Sequence, residues 1–146
     1  LNLANVSNAT DSTTMWSFLQ RYNPNLSKES NPDLDKQIQL ALNYFNDIIV
    51  PTKNYKIPSE NERINIQELL LDLKKIPLNS TPEEIQYVVF EVGKKFYSKK
   101  ELKNWFQLLY EVLLGQSDGP RFGVFAAIYG LNETILLIEQ KLSATL

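Results

Sequence analysis

Three helix-start signals within about forty residues constrain the fold of this chain more than any other feature of its sequence. Each is a capping box, in which a Ser or Thr side chain accepts the N–H of the third helical residue while a Glu at that position reaches back to the cap. The boxes are Ser59 with Glu62, Thr81 with Glu84, and Ser98 with Glu101. They predict three successive helices.

Apolar residues at helical spacing predict two helices in the first half of the chain. One runs from about Asp11 to Tyr22. The next begins with Asn31 as its N-cap and Pro32 as its first residue, and Pro51 ends it.

In the second half, the helix after Ser98 has a predicted core face of Leu102, Phe106, Leu109 and Leu113, with Trp105 beside it. Gly115 is expected to adopt the left-handed conformation after this helix. We expect Pro120 to open a short helix that Gly130 closes, and Asn132-Glu133 to cap a last helix that runs through Leu142.

Because alternation of the strand type is weak throughout, we predict an all-α fold, a multi-helix bundle forming a single domain over residues 1–146. A length of 146 residues with 43% hydrophobic content suits one compact core. No run of about 18 apolar residues predicts a membrane span. The opening residues from Leu1 do not have the pattern of a signal peptide, so we expect the chain to begin inside a larger protein.

The chain contains neither Cys nor His, which removes thiol and imidazole catalysis and the usual zinc site. Its carboxylates are scattered over predicted helix surfaces, so we nominate no catalytic residue and no metal ligand. A net charge of −2 argues against a general nucleic-acid coat protein. Any contact with RNA must then be local, and no DNA or membrane partner is expected.

The segment from Gly115 to Gly123 packs three glycines, a proline and an arginine into one connection between helices. It could contact phosphate or RNA, with Gly119 exposing backbone, the next helix presenting N–H groups and Arg121 supplying a forked cation. It could also be a tight turn in which small residues allow close helix packing, and residue chemistry alone favours this second interpretation.

The loop with Lys53, Tyr55 and Lys56 is the other candidate site. Tyr55 could stack on a base while the two lysines meet phosphates, or it could anchor the loop on the core while the lysines are solvated. We expect the lysines from Lys94 to Lys103 to form a solvated face. Most aromatic residues at helical spacing are expected to pack in the core.

Read in order, several segments resemble the carboxy-terminal part of class I lysyl-tRNA synthetases, the archaeal-type enzymes. The segments are Asn2-Leu3-Ala4 with Trp16 and Tyr22, then Tyr44-Phe45-Asn46-Asp47, Pro51-Thr52-Lys53-Asn54-Tyr55 and Pro58 with Glu62, and finally Trp105 to Tyr110, Leu113 to Gln116, Gly119-Pro120-Arg121-Phe122-Gly123 and Ile128-Tyr129-Gly130. The last group is the most specific.

The resemblance implies an α-helix-cage domain that binds the anticodon of tRNA(Lys) in the cytoplasm. It also implies a parent enzyme that joins lysine to tRNA with ATP and magnesium, using a Rossmann catalytic domain of the same chain that lies outside these residues. The candidate tRNA-binding residues are Lys53, Tyr55, Lys56, Gly119, Arg121 and Phe122. The alternative is a non-catalytic helical module for protein interaction or regulation.

Overall fold

A computed structural model of the chain describes residues 12–44, 46–47 and 53–143. Across these ranges there are seven α-helices, one 3₁₀ turn and no strand, which confirms the all-α prediction. The helices are α1 Ser12–Tyr22, α2 Pro32–Tyr44, α3 Glu60–Leu73, α4 Pro82–Phe96, α5 Leu102–Leu113, α6 Phe122–Tyr129 and α7 Leu131–Ser143, and the 3₁₀ turn is Lys99–Glu101.

Contacts within the chain divide it into two compact units, Leu1–Lys53 and Asn54–Leu146. Since two compact units can belong to one domain, the expectation of a single domain stays a prediction.

In the first unit, α1 and α2 pack through Met15, Trp16, Ile38 and Leu42. The Trp16 indole N–H donates to Asp35 Oδ1 at 2.9 Å, which satisfies its polar atom at the edge of this cluster. Both helix starts lie where the sequence predicts them. Asn31, however, turns its side-chain oxygen towards the N–H of Ser27 at 3.2 Å. The predicted end of α2 at Pro51 lies outside the described residues.

In the second unit, the first two capping boxes are confirmed, with both reciprocal hydrogen bonds present at Ser59 and at Thr81. The third is wrong. Ser98 makes no capping hydrogen bond with its side chain, because the next three residues form a 3₁₀ turn and Glu101 is itself the residue before α5.

The core of the second unit forms around α4, which packs against α3, α5 and α6. Trp105 is fully buried and donates its indole N–H to Val89 O at 3.0 Å. The buried face of α5 is Trp105, Leu108, Leu109, Val112 and Leu113. This corrects the predicted face, since Leu102 and Phe106 are only half-buried.

The aromatic residues divide between core and surface. Trp16 and Trp105 are buried, as predicted, whereas Phe106 and Tyr110 are half-buried and Tyr44 is exposed. Phe45 lies outside the described residues.

Gly115 has a positive φ (71°), as predicted. Gly130 closes α6, as predicted, and also has a positive φ (115°). Two helix starts differ from prediction. The helix α6 begins at Phe122, two residues after Pro120, and α7 begins at Leu131, so Asn132 lies inside it and is not its cap.

No single helix in the described ranges is long and apolar enough to cross a membrane. By length and composition alone, α6 and α7 pass such a test together, but the chain bends by 106° between them.

Candidate nucleic-acid interface

The two sequence-predicted candidate segments meet in the second unit, where the loop before α3 lies against the end of α5. Asn54 N–H donates to Gly115 O at 3.1 Å, and Lys56 N–H donates to Glu111 O at 3.0 Å. A Cβ placed on Gly115 would lie 3.5 Å from the Tyr55 ring, so the ring rests on the glycine backbone. The structure therefore brings Tyr55 and Lys56 to the start of the glycine-rich turn, whereas Lys53 ends the first unit.

Tyr55 has a cation over its ring, with the Lys141 ammonium 3.6 Å from the ring centroid. Such a contact contributes on the order of 0.5–1 kcal/mol at exposed sites. Tyr55 as a residue remains 38% exposed. A base stacking on Tyr55 would have to use the part of the ring that Lys141 and Gly115 leave open.

Lys56 is held by a carboxylate on the next helix, since its Nζ lies 3.0 Å from Glu62 Oε2. The hydrogen bond from Glu62 raises the pKa of Lys56 above its ordinary value. Burial pushes the pKa of Glu62 upwards, but hydrogen bonds from Ser59 and Lys56 outweigh it and hold that pKa below its ordinary value. A phosphate at Lys56 would therefore compete with Glu62.

The glycine-rich turn is packed closely against α5 at Gly119. A Cβ on this glycine would lie 2.9 Å from the Tyr110 ring and 3.2 Å from Leu114 Cδ1. The Tyr110 hydroxyl donates to Pro120 O at 2.7 Å, and burial raises the pKa of Tyr110. Gly119 and Arg121 are exposed.

Phe122 is not available to RNA, because it is only 2% exposed and packs into the apolar core. It lines a small apolar cavity together with residues of α5 and Pro120. This placement corrects its nomination as a tRNA-binding residue.

The amino terminus of α6 differs from the phosphate-binding arrangement that the sequence suggested. Gly123 N–H donates to Gln86 Oε1 at 2.7 Å, and both Phe122 and Gly123 are buried. A Cβ on Gly123 would collide with the Pro82 carbonyl oxygen and lie 2.9 Å from Gln86 N. Because α4 occupies the amino terminus of α6, Gly123 allows the two helices to pack closely.

The lysine-rich stretch has two kinds of members. Lys94 pairs with Glu91 at 2.7 Å, and Lys95 pairs with Glu68 at 2.9 Å. Lys99, Lys100 and Lys103 are exposed, as is Arg121. Within residues 53–143, none of these last four cations has a carboxylate partner. A phosphate could therefore bind them without displacing a carboxylate.

A polar groove of about 230 Å³ opens beside the loop. Its lining is Lys56, Glu62, Tyr97, Asn104, Gln107, Leu108 and Glu111. Three of these residues, Asn104, Gln107 and Glu111, follow one another at helical spacing on α5, which is otherwise a core helix. Sequence reasoning missed them, although a polar stripe on so apolar a helix was the signal that could have found them.

No group of three or more metal-ligating side chains is found in the described ranges. Within the described ranges, the chain is thus an all-helical protein with exposed cations and a polar groove beside a closely packed turn, a set of features suited to binding.

Comparison with known proteins shows which proteins this chain is similar to. The chain is 43% identical over all 146 residues to a lysine–tRNA ligase of Roseobacter denitrificans, and it covers 27% of that protein's length. Over 142 residues, 97% of this chain, it is 40% identical to the lysine–tRNA ligase of Rickettsia bellii and 38% identical to that of Rickettsia felis, again covering 27% of each. This chain is therefore a homologue of one segment of proteins named lysine–tRNA ligase, and it spans about a quarter of their length.

No protein-family model matches the chain. No solved structure matches it either.

Proposed function

We propose that this chain is the tRNA-binding part of a lysine–tRNA ligase of class I, the archaeal type, and that it binds the anticodon of tRNA(Lys). The observation that carries the assignment to a lysine–tRNA ligase is the 43% identity over every residue of the chain to a segment of a protein with that name. Class I and the anticodon rest on the sequence resemblance described above. The catalytic domain of the same protein is then its intramolecular partner, and the cytoplasm its location.

The parent enzyme joins lysine to tRNA at the expense of ATP. We place bound ATP and magnesium in the catalytic domain of the parent enzyme, as the resemblance to class I lysyl-tRNA synthetases implies. What this chain contributes is position, since holding the anticodon orients the whole tRNA towards the distant reacting end.

The charge distribution supports local RNA contact. The chain has a formal charge of −2, so a broad basic face is not the means of binding. Instead, Arg121 stands exposed at the end of the glycine-rich turn, and its planar guanidinium suits a phosphate or a base edge. The unpaired bases of a loop are splayed out and read on such edges.

Substitution of Arg121 tests the proposal in the full ligase. Losing one charge-assisted hydrogen bond costs about 1.5 kcal/mol, so we expect Arg121→Ala to lower kcat/KM for tRNA about tenfold. Lysine-dependent ATP turnover at saturating tRNA should not change. Lys75→Ala is the matched control, because it removes one charge from an exposed lysine that is paired only with Asp72, three residues away. An equal loss of both activities in Arg121→Ala would contradict the assignment.

A labelled anticodon stem-loop separates this proposal from a helical protein-interaction module. Binding to the 146-residue chain should weaken as salt rises and as the anticodon uridines are replaced. No binding at low salt would favour the interaction module.

A further inference from the structure

The polar groove has the size and walls of a site for one flat ring. Its volume of about 230 Å³ falls below the range of roughly 300–1,000 Å³ that is typical of drug-sized ligands. The Tyr97 ring is braced by Trp105, with ring centroids 5.6 Å apart, and Trp105 is fully buried. Leu108 contributes apolar surface to the same lining. One side of the groove is therefore rigid and aromatic.

The other side is a row of hydrogen-bonding groups on α5. Within residues 53–143, the side-chain amides of Asn104 and Gln107 and the carboxylate of Glu111 have no hydrogen-bond or ion-pair partner. Each amide can donate and accept, whereas an ionised carboxylate only accepts. The groove thus presents both kinds of group to a ligand.

The charge of the groove disfavours phosphate. Lys56 is paired with Glu62, and Glu111 adds a second carboxylate, so the three charged groups sum to −1. The groove suits a neutral ligand that has its own N–H to donate. Among unpaired pyrimidines, uracil presents an N–H between two carbonyl oxygens, whereas cytosine presents a bare ring nitrogen at that place.

We propose that the polar groove binds one unpaired nucleobase on its edge, uracil in preference to cytosine, with Glu111 accepting the ring N–H and the α5 amides donating to the carbonyl oxygens. A cytosine would bring its ring nitrogen lone pair against the carboxylate and leave both acceptors without a donor. This inference rests on the proposed function for its RNA, but the groups that contact the base, on Asn104, Gln107 and Glu111, are not among those nominated from the sequence.

The experiment measures binding of the 146-residue chain to two fluorescently labelled RNA hairpins at low salt. The hairpins differ only in having three uridines or three cytidines in the loop. We expect the chain to bind the uridine hairpin about tenfold more tightly, the range for an unsatisfied polar group against a paired one. In Glu111→Gln the ratio should fall to about one, because an amide can donate to the cytosine nitrogen as well as accept.

Two further variants guard the conclusion. Gln107→Ala truncates an exposed side chain and should weaken binding of the uridine hairpin several-fold without affecting folding. Glu83→Gln neutralises an exposed carboxylate on α4 outside the groove, and its uridine-to-cytidine ratio should equal that of the parent chain.

The outcomes distinguish the two proposals. If the unmodified chain binds neither hairpin, the proposed function fails and this inference fails with it. If Glu111→Gln keeps the original preference, the base pocket is overturned while anticodon binding stands. If the unmodified chain binds both hairpins equally, the base pocket and the preference for the anticodon uridines are overturned together, and only RNA binding remains.

Discussion

Gly123 lies where α6 packs tightly against α4, and replacing it with alanine tests whether this packing stabilises the second unit. The added methyl group would collide with the Pro82 carbonyl oxygen and lie 2.9 Å from both N and Cβ of Gln86. All three atoms belong to the first five residues of α4, so the clash is relieved only if the two helices move apart.

The expected cost combines three effects. Overpacking a closely packed core costs about 1–3 kcal/mol. Separation of the helices also weakens the hydrogen bond from Gly123 N–H to Gln86 Oε1, now 2.7 Å, which contributes about 1 kcal/mol. Alanine regains about 0.5–1 kcal/mol because it is a better helix former than glycine. We therefore expect Gly123→Ala to lower the free energy of unfolding by about 2 kcal/mol.

Urea denaturation followed by far-UV circular dichroism measures this difference. For a chain of this size, each 1 kcal/mol corresponds to a fall of about 2–4 °C in Tm, so thermal melts provide a second estimate. Val124→Ala is the matched control in the same helix, because Val124 is exposed and its truncation should change stability by less than about 0.5 kcal/mol. Gln86→Ala isolates the hydrogen bond. A Gly123→Ala protein as stable as the parent would refute the argument, since the two helices would then have room for a side chain.

Two other predictions concern the start of α3. Ser59→Ala should lower the free energy of unfolding by about 1 kcal/mol, because it removes the hydroxyl that accepts Glu62 N–H at 3.3 Å, whereas Ser98→Ala should have almost no effect, since Ser98 makes no side-chain cap; equal effects in thermal melts would contradict this. The folded pKa of Glu62 lies below its ordinary value of 4.5, so its stabilisation is present above about that pH and is lost as pH falls through the folded pKa. Thermal melts at about pH 7 and about pH 3 should therefore show a smaller loss of stability in Glu62→Gln than in the parent. An equal loss in the two proteins would show that Glu62 does not contribute to the acid dependence of stability.

Local signals predicted the helices well where a few neighbouring residues decide the outcome. The boxes at Ser59 and Thr81, the positive φ of Gly115 and the end of α6 at Gly130 depend on residues that are close together in the chain. The box at Ser98 failed because residues 99–101 form a 3₁₀ turn, which places Glu101 before the first residue of α5.

The face of α5 illustrates a different limit. Apolar residues lie on most sides of this helix, so its periodicity admits more than one core face. Packing selected the side with Trp105, whose indole N–H finds a partner in Val89 O, and this choice left Asn104, Gln107 and Glu111 together on the groove.

The sequence by itself determined the all-α class, most helix starts and a chain without thiol or imidazole chemistry, because propensity, capping and composition act over short distances. Only the tertiary structure decided which candidate residues share a surface. Long-range contacts buried Phe122, bound Gly123 to Gln86, and placed Lys141 over Tyr55. Such contacts join residues that are distant in the chain, and their partners follow from the packing of whole helices, which no local pattern encodes.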